Sequence, residues 1–166
     1  MTSCEIFSRL TPAEAHELFE SLHEANRDAY KGCMQVTASR RRLRPVFLER
    51  KPRVDRHEWM RSVLALPSNE DLGLEVLQNW LLGPHRKMLE DFLDALDIQH
   101  NEGLIDEIPP QPAREKLDAA VDALLAKYPP FAVKIYLHLF QPEGGEAWPD
   151  LDALLTVDPR LAFDQP

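Results

Sequence analysis

Phe131-Ala132-Val133-Lys134-Ile135-Tyr136-Leu137-His138-Leu139-Phe140 is the stretch on which the fold class turns. It is apolar on every side except Lys134 and His138, and its length suits a buried helix or a central strand equally. A central strand needs partner strands of similar quality, and the chain offers none. The stretch therefore reads as a buried helix. Leucine occurs 25 times, against 17 for valine, isoleucine and threonine together. Unbranched leucine keeps its rotamer freedom in a helix, whereas β-branched side chains favour strands. No Asn-Gly or Asp-Gly pair is present to close a tight hairpin. Most of the 14 prolines fall in short breaks between leucine-rich stretches, as between closely spaced helices.

Upstream of this stretch, a helix beginning near Pro112 buries Leu117, Ala120, Val121, Leu124, Leu125 and Tyr128. Asn101 to Pro112 reads as an extended connector that tucks Ile105 and Ile108 into the core. The helix before it carries Met88, Leu89, Phe92, Leu93 and Leu96. Ser68-Asn69-Glu70-Asp71 starts another, with Leu72, Val76, Leu77, Trp80 and Leu81 inward and Gly83-Pro84 as its stop. His57 to Leu66 is a further helix. The first helix is the best marked, because Thr11-Pro12-Ala13-Glu14 supplies an N-cap, a first-turn proline and the reciprocal Glu of a capping box. Ala15, Leu18, Phe19, Leu22 and Ala29 then follow the 3.6-residue period, and Gly32 supplies the stop. Downstream, Trp148 to Leu155 and Asp158 to Phe163 read as two short closing helical turns.

The prediction is an all-α fold, a compact bundle or array of six to seven short amphipathic helices in a single domain over residues 1–166. Leu93-Asp94-Ala95-Leu96, Val121-Asp122-Ala123-Leu124 and Leu151-Asp152-Ala153-Leu154 repeat one phrase at spacings of 28 and 30 residues. That period suits stacked helical hairpins. An acidic chain rich in leucine and alanine also generates the phrase on any amphipathic helix.

At 166 residues and 44% hydrophobic, the chain can bury a core without disulfides or a structural metal. No apolar run reaches the ~18 residues of a membrane span, so no membrane partner is expected. Met1 to Glu5 lacks the basic and apolar regions of a secretory leader. Cys4 and Cys33, without Cys-x-x-Cys spacing, argue against a disulfide scaffold or a cysteine zinc site, and favour a reducing cytoplasm.

Catalytic signatures are missing. There is no Gly-x-Ser-x-Gly elbow and no glycine-rich phosphate loop, so no catalytic residue and no cofactor is assigned, and the reading leans away from an enzyme. Cys33, beside Gly32 and Lys31, reads as a small buried hydrophobe. Asp106-Glu107 borders a proline-rich turn and is expected to stay solvated. Asn26 falls inside the apolar face of the first helix, where its amide needs a hydrogen-bond network.

Six histidines invite a metal search. His16, Glu20 and His23 stand at i, i+4 and i+7 and share one flank of the first helix. Glu20-Ser21-Leu22-His23 also has the Glu-x-x-His spacing of di-iron bundles, which need a second copy. Asp97-Ile98-Gln99-His100 is only a partial one. The bland alternative is that His16 and His23 cover the core edge with their polar tips outward. His57, His85 and His138 are isolated in sequence and read as structural.

The net charge of −9 is unevenly spread. Residues 40–61 carry +6 and the rest −15. The basic residues Arg40, Arg41, Arg42, Arg44, Arg50, Lys51, Arg53 and Arg56 lie in a proline-interrupted segment, about 33–56, expected to form an extended strap. Glu90, Asp94 and Asp97 line one helix face, and the strap could neutralise them. The leading functional reading is a non-catalytic module that docks a protein partner or a second copy through this strap. The alternative is a nucleic-acid-associated protein contacting phosphates through Arg40 to Arg61. It ranks second, because the acidic chain repels phosphate at long range and Phe47 and Trp59 are the segment's only aromatic rings. The second alternative is a metal- or ligand-binding helical bundle at His16, Glu20 and His23.

Overall fold

The computed structural model describes residues 1–140 and 148–163. Its contacts divide into two units, residues 2–84 and, among the described residues, 85–163. The fold is all-α, as the leucine excess implied. The described residues form ten helices, however, nine of them of seven residues or more, rather than six or seven. No helix among them is long and apolar enough to cross a membrane.

The first unit holds six helices: α1 (Ser3–Arg9), α2 (Pro12–Ala25), α3 (Arg27–Arg40), α4 (Pro45–Glu49), α5 (Arg53–Leu64) and α6 (Glu70–Leu82). Helix α2 packs on α3, α5 and α6, and α1 packs on α5 and α6. Ile6, Phe7, Leu18, Phe19, Leu22, Met60, Leu64, Leu77 and Trp80 fill the space between them without exposure. The Thr11–Glu14 capping box forms as read, with the Thr11 N–H donating to the Glu14 carboxylate at 2.8 Å.

Three local events account for the miscounted helices. Helix α1 is too short to show a period, and its signature is instead a second capping box, Thr2-Ser3-Cys4-Glu5. The expected first helix divides at Asn26, which leaves helical geometry at φ −145° and ψ 86°. Its side-chain oxygen accepts the Ala29 N–H at 3.0 Å, and its amide donates to Asn79 Oδ1 at 2.8 Å. The amide that needed partners thus starts a new helix, and Gly32 lies inside α3 instead of ending α2. Finally, the basic segment is not an extended strap. Helix α3 continues to Arg40 and closes with Leu43 N–H donating to the Ala38 carbonyl and Arg42 N–H to the Ser39 carbonyl. Arg42 sits at φ 54°, in the left-handed position usually given to glycine. Pro45 then opens α4 and Pro52 precedes α5, so both prolines start helices, where a missing N–H costs nothing.

The second unit holds α7 (Arg86–Ala95), α8 (Arg114–Lys127), α9 (Pro130–Phe140) and α10 (Pro149–Val157). The stretch Phe131 to Phe140 is the buried helix anticipated, with Val133, Ile135 and Leu137 fully inside. Around it Phe92 meets Tyr136 edge-on at 5.5 Å and Phe140 lies 4.8 Å from Trp148. Residues 101–112 form a connector whose Ile105 and Ile108 are only half-buried. It begins in a tight turn with Glu102 and Gly103 both at positive φ, and it is tied down by Trp148 Nε1–H donating to the Pro109 carbonyl at 2.8 Å. Asp158 to Phe163 is a turn, not a helix. Each repeated phrase places its first residue inward and its Asp-Ala pair outward, on α7, α8 and α10.

Candidate metal centre

Helix α2 supplies His16 and Glu20 one turn apart, and α5 brings His57 against them. One ligand atom from each of the three lies within 4.8 Å of the others. Their order in sequence hides this, because His57 is 41 residues from His16. What joins them is the packing of α2 on α5.

His57 is 1% exposed and packs against the ring of Phe19 at 5.4 Å. Its Nδ1 shares a hydrogen bond with His16 Nδ1 at 2.8 Å, and its Nε2 shares another with the Tyr30 hydroxyl at 2.9 Å. Burial first, and the neighbouring His16 next, lower the His57 imidazole to about 4. It is therefore neutral at pH 7, and its 3.8 Å approach to Glu20 Oε1 is neither an ion pair nor a hydrogen bond. Burial likewise raises the Tyr30 phenol, although Arg56 Nη1 donates to its oxygen at 3.3 Å.

Glu20 is held by an ion pair from Arg53 to Oε2. Its other oxygen, Oε1, is buried without a hydrogen-bond partner. A buried acceptor left unpaired costs roughly 1–3 kcal/mol, and such a group calls for an explanation, a bound ion among them. The site therefore combines two imidazoles, one of them fixed on both ring nitrogens, with a carboxylate oxygen that lacks a donor.

The expected triad of His16, Glu20 and His23 is only partly realised. An i, i+7 pair is separated by about 10 Å of helix rise, too far for one ion. His23 instead meets the ring of Tyr30 edge-on at 4.7 Å, and His57 takes its place. A sequence signal for this existed, since His57, Met60 and Leu64 recur at i, i+3 and i+7 and are all buried. The partial motif at Asp97 and His100 does not form a second site: Asp97 pairs with Lys116 and His100 with Asp94. Cys33 is fully buried in α3, and burial pushes its thiol up to about 12. Asp106 and Glu107 are exposed.

The basic residues divide into fixed and free groups. Arg40 donates to Ser68 Oγ and Asn69 Oδ1, and Arg41 to Ser62 Oγ. Arg41 and Lys51 lie 4.7 and 4.1 Å from the ring centroid of Trp59. Arg56 Nη2 donates to the Glu49 and Lys51 carbonyls, which ties the end of α4 to α5. Arg61 grips Glu58 at 2.6 Å and reaches the Phe7 carbonyl at 3.1 Å. The side chains of Arg42, Arg44 and Arg50 make no hydrogen bond or ion pair among the described residues. Within their own unit Glu90 and Asp97 pair with Lys87 and Lys116, and Asp94 shares a hydrogen bond with His100. Compared with known protein families, with curated proteins and with solved structures, the chain matches none.

Proposed function

We propose that the protein binds a first-row divalent metal ion, zinc or a close relative, through His16, Glu20 and His57. The observation that carries this reading is the convergence of three metal-ligating side chains within 4.8 Å. The unpartnered Glu20 Oε1 adds to it, since a cation would satisfy that oxygen. Two imidazoles and one carboxylate form the donor set of three-ligand zinc sites and of facial-triad iron sites, and imidazole disfavours magnesium and calcium.

An ion between the rings would displace the proton of the Nδ1–Nδ1 hydrogen bond to the Nε2 of the same ring, so that both imidazoles stay neutral. The two Nδ1 atoms would then stand farther apart than the present 2.8 Å. Tyr30 stays on His57 Nε2 and fixes the ring, the part that an outer hydrogen-bond partner plays around metal-ligating histidines. Three protein ligands leave a fourth position open to water or a small ligand. The two free thiols, Cys4 and Cys33, support a reducing, cytoplasmic setting.

Calorimetric titration of the metal-free protein with zinc tests the reading. The expected result is about one equivalent bound, with affinity lowered about tenfold or more in His16→Ala and Glu20→Gln and unchanged in His23→Ala. Glu20 and His16 are only half-buried, so both variants should keep their fold, which an unchanged circular dichroism spectrum checks. Wild-type protein that takes up no zinc, or variants that bind it equally, would overturn the proposal.

A further inference from the structure

We propose a second, separate site: the surface formed by the end of α3, by α4 and by the start of α5 docks an acidic amphipathic helix of a partner protein. Helix α4 turns only Leu48 inward and leaves Val46 and Phe47 exposed at 43% and 52%. Leu43 and Val54, on either side in sequence, are 36% and 55% exposed. Single exposed apolar side chains are ordinary, whereas a cluster edged with charge marks a contact surface. Interleaved with them in sequence stand the exposed Arg42, Arg44 and Arg50, whose planar guanidinium forks suit paired carboxylates.

The segments are fastened to one another. Arg56 joins the end of α4 to α5, while Arg41 from the α3 end and Lys51 from the α4 end both rest on the ring of Trp59. A prearranged surface loses less freedom on binding. Its complement is an apolar stripe flanked by Asp and Glu, the pattern that an amphipathic helix lays into a groove.

Two other polyanions fit less well. Trp59 already carries two cations over its ring, and of the exposed apolar side chains here Phe47 alone has a stacking face, whereas Leu43, Val46 and Val54 have none, so the patch is no multi-base platform. Glu49 and Asp55 are exposed among the arginines. A uniformly anionic phosphate backbone or lipid headgroup layer meets these with repulsion, whereas a protein helix can place a lysine or a gap opposite them.

The test uses a fluorescein-labelled synthetic helix with leucines at i, i+3, i+4 and i+7 edged by glutamate, followed by anisotropy against the full chain. Saturable binding is expected, falling about tenfold in Phe47→Ser and in Arg44→Glu, and falling again with salt. Both side chains are exposed, so melting temperature and zinc uptake should stay at wild-type values in the variants, which separates this proposal from the metal reading. The proposal is overturned if the glutamate-edged peptide fails to bind, or if a lysine-edged peptide binds as well. It also falls if Phe47→Ser leaves affinity unchanged. Tighter binding of single-stranded DNA or phosphatidylserine vesicles to the same residues would replace it, as would a dimer of the chain itself that Phe47→Ser dissolves.

Discussion

Glu70 caps a helix to which it does not belong. Its carboxylate accepts the Ser3 and Cys4 N–H groups at 2.6 and 2.9 Å, while Thr2 and Glu5 satisfy each other in the capping box. All four orphan donors of the α1 first turn are thereby paired. Burial works to raise the Glu70 carboxyl, but the hydrogen bonds from Cys4 and Ser3 prevail and hold it at about 2. A carboxyl lowered on folding stabilises above its unfolded value, near 4.5, and that contribution fades as pH falls towards about 2. Glu70→Ala should therefore cost about 1–2 kcal/mol at pH 7, a range reduced for partial solvent exposure. Urea denaturation of both proteins should show the gap narrowing between pH 4.5 and 2. A gap that stays constant, or widens in acid, would show that the carboxylate is not the cap. At this scale the sequence was half legible. His16 and Glu20 could be paired from their spacing on one helix, whereas His57 needed the packing of α2 on α5. Asn26 stood out as an amide on an apolar face, but whether it satisfies itself within a long helix or by starting a new one depends on Asn79, 53 residues away.

Between elements, α1 and α6 pack closely at Gly73. A Cβ built there meets Ser3 Oγ at 2.5 Å and Ser3 Cβ at 3.3 Å. Ser3 Oγ is already committed to the Glu70 carbonyl at 2.8 Å. Alanine at 73 gains helix propensity of about 1 kcal/mol but forces the pair apart, at about 1–3 kcal/mol. Gly73→Ala should therefore lower the melting temperature in the wild type and be neutral or stabilising in a Ser3→Ala background, a non-additivity expected of residues in contact. A stabilising effect of Gly73→Ala in the wild type would remove the steric account. The elements that sequence identified well, the start of α2 and the helices α6, α8 and α9, are those with long periodic faces or marked ends. Helices α1 and α4, of seven and five residues, carry too few turns for a period to register. Helix α3 escaped because its start is an asparagine inside an apolar stripe, and its end uses Arg42 where glycine was sought.

Across the whole molecule, composition settled the class and left the use open. An excess of leucine over β-branched residues was enough for all-α, since it needs no knowledge of which helix meets which. The charge asymmetry was equally visible, but its meaning depends on contacts. Within the basic segment Arg40, Arg41, Arg56 and Arg61 are spent on holding helices, while Arg42, Arg44 and Arg50 make no hydrogen bond or ion pair among the described residues. The metal reading rests on a meeting of two helices that no local pattern announces, and it is the central claim. Its most direct test is anomalous diffraction at the zinc absorption edge from crystals of the protein grown with one equivalent of zinc. The account predicts one strong peak at about 2.0–2.2 Å from a nitrogen of His16, a nitrogen of His57 and a carboxylate oxygen of Glu20, with the two Nδ1 atoms no longer in direct contact. An anomalous map without that peak, with the zinc on other residues and the His16–His57 hydrogen bond still at 2.8 Å, would contradict it.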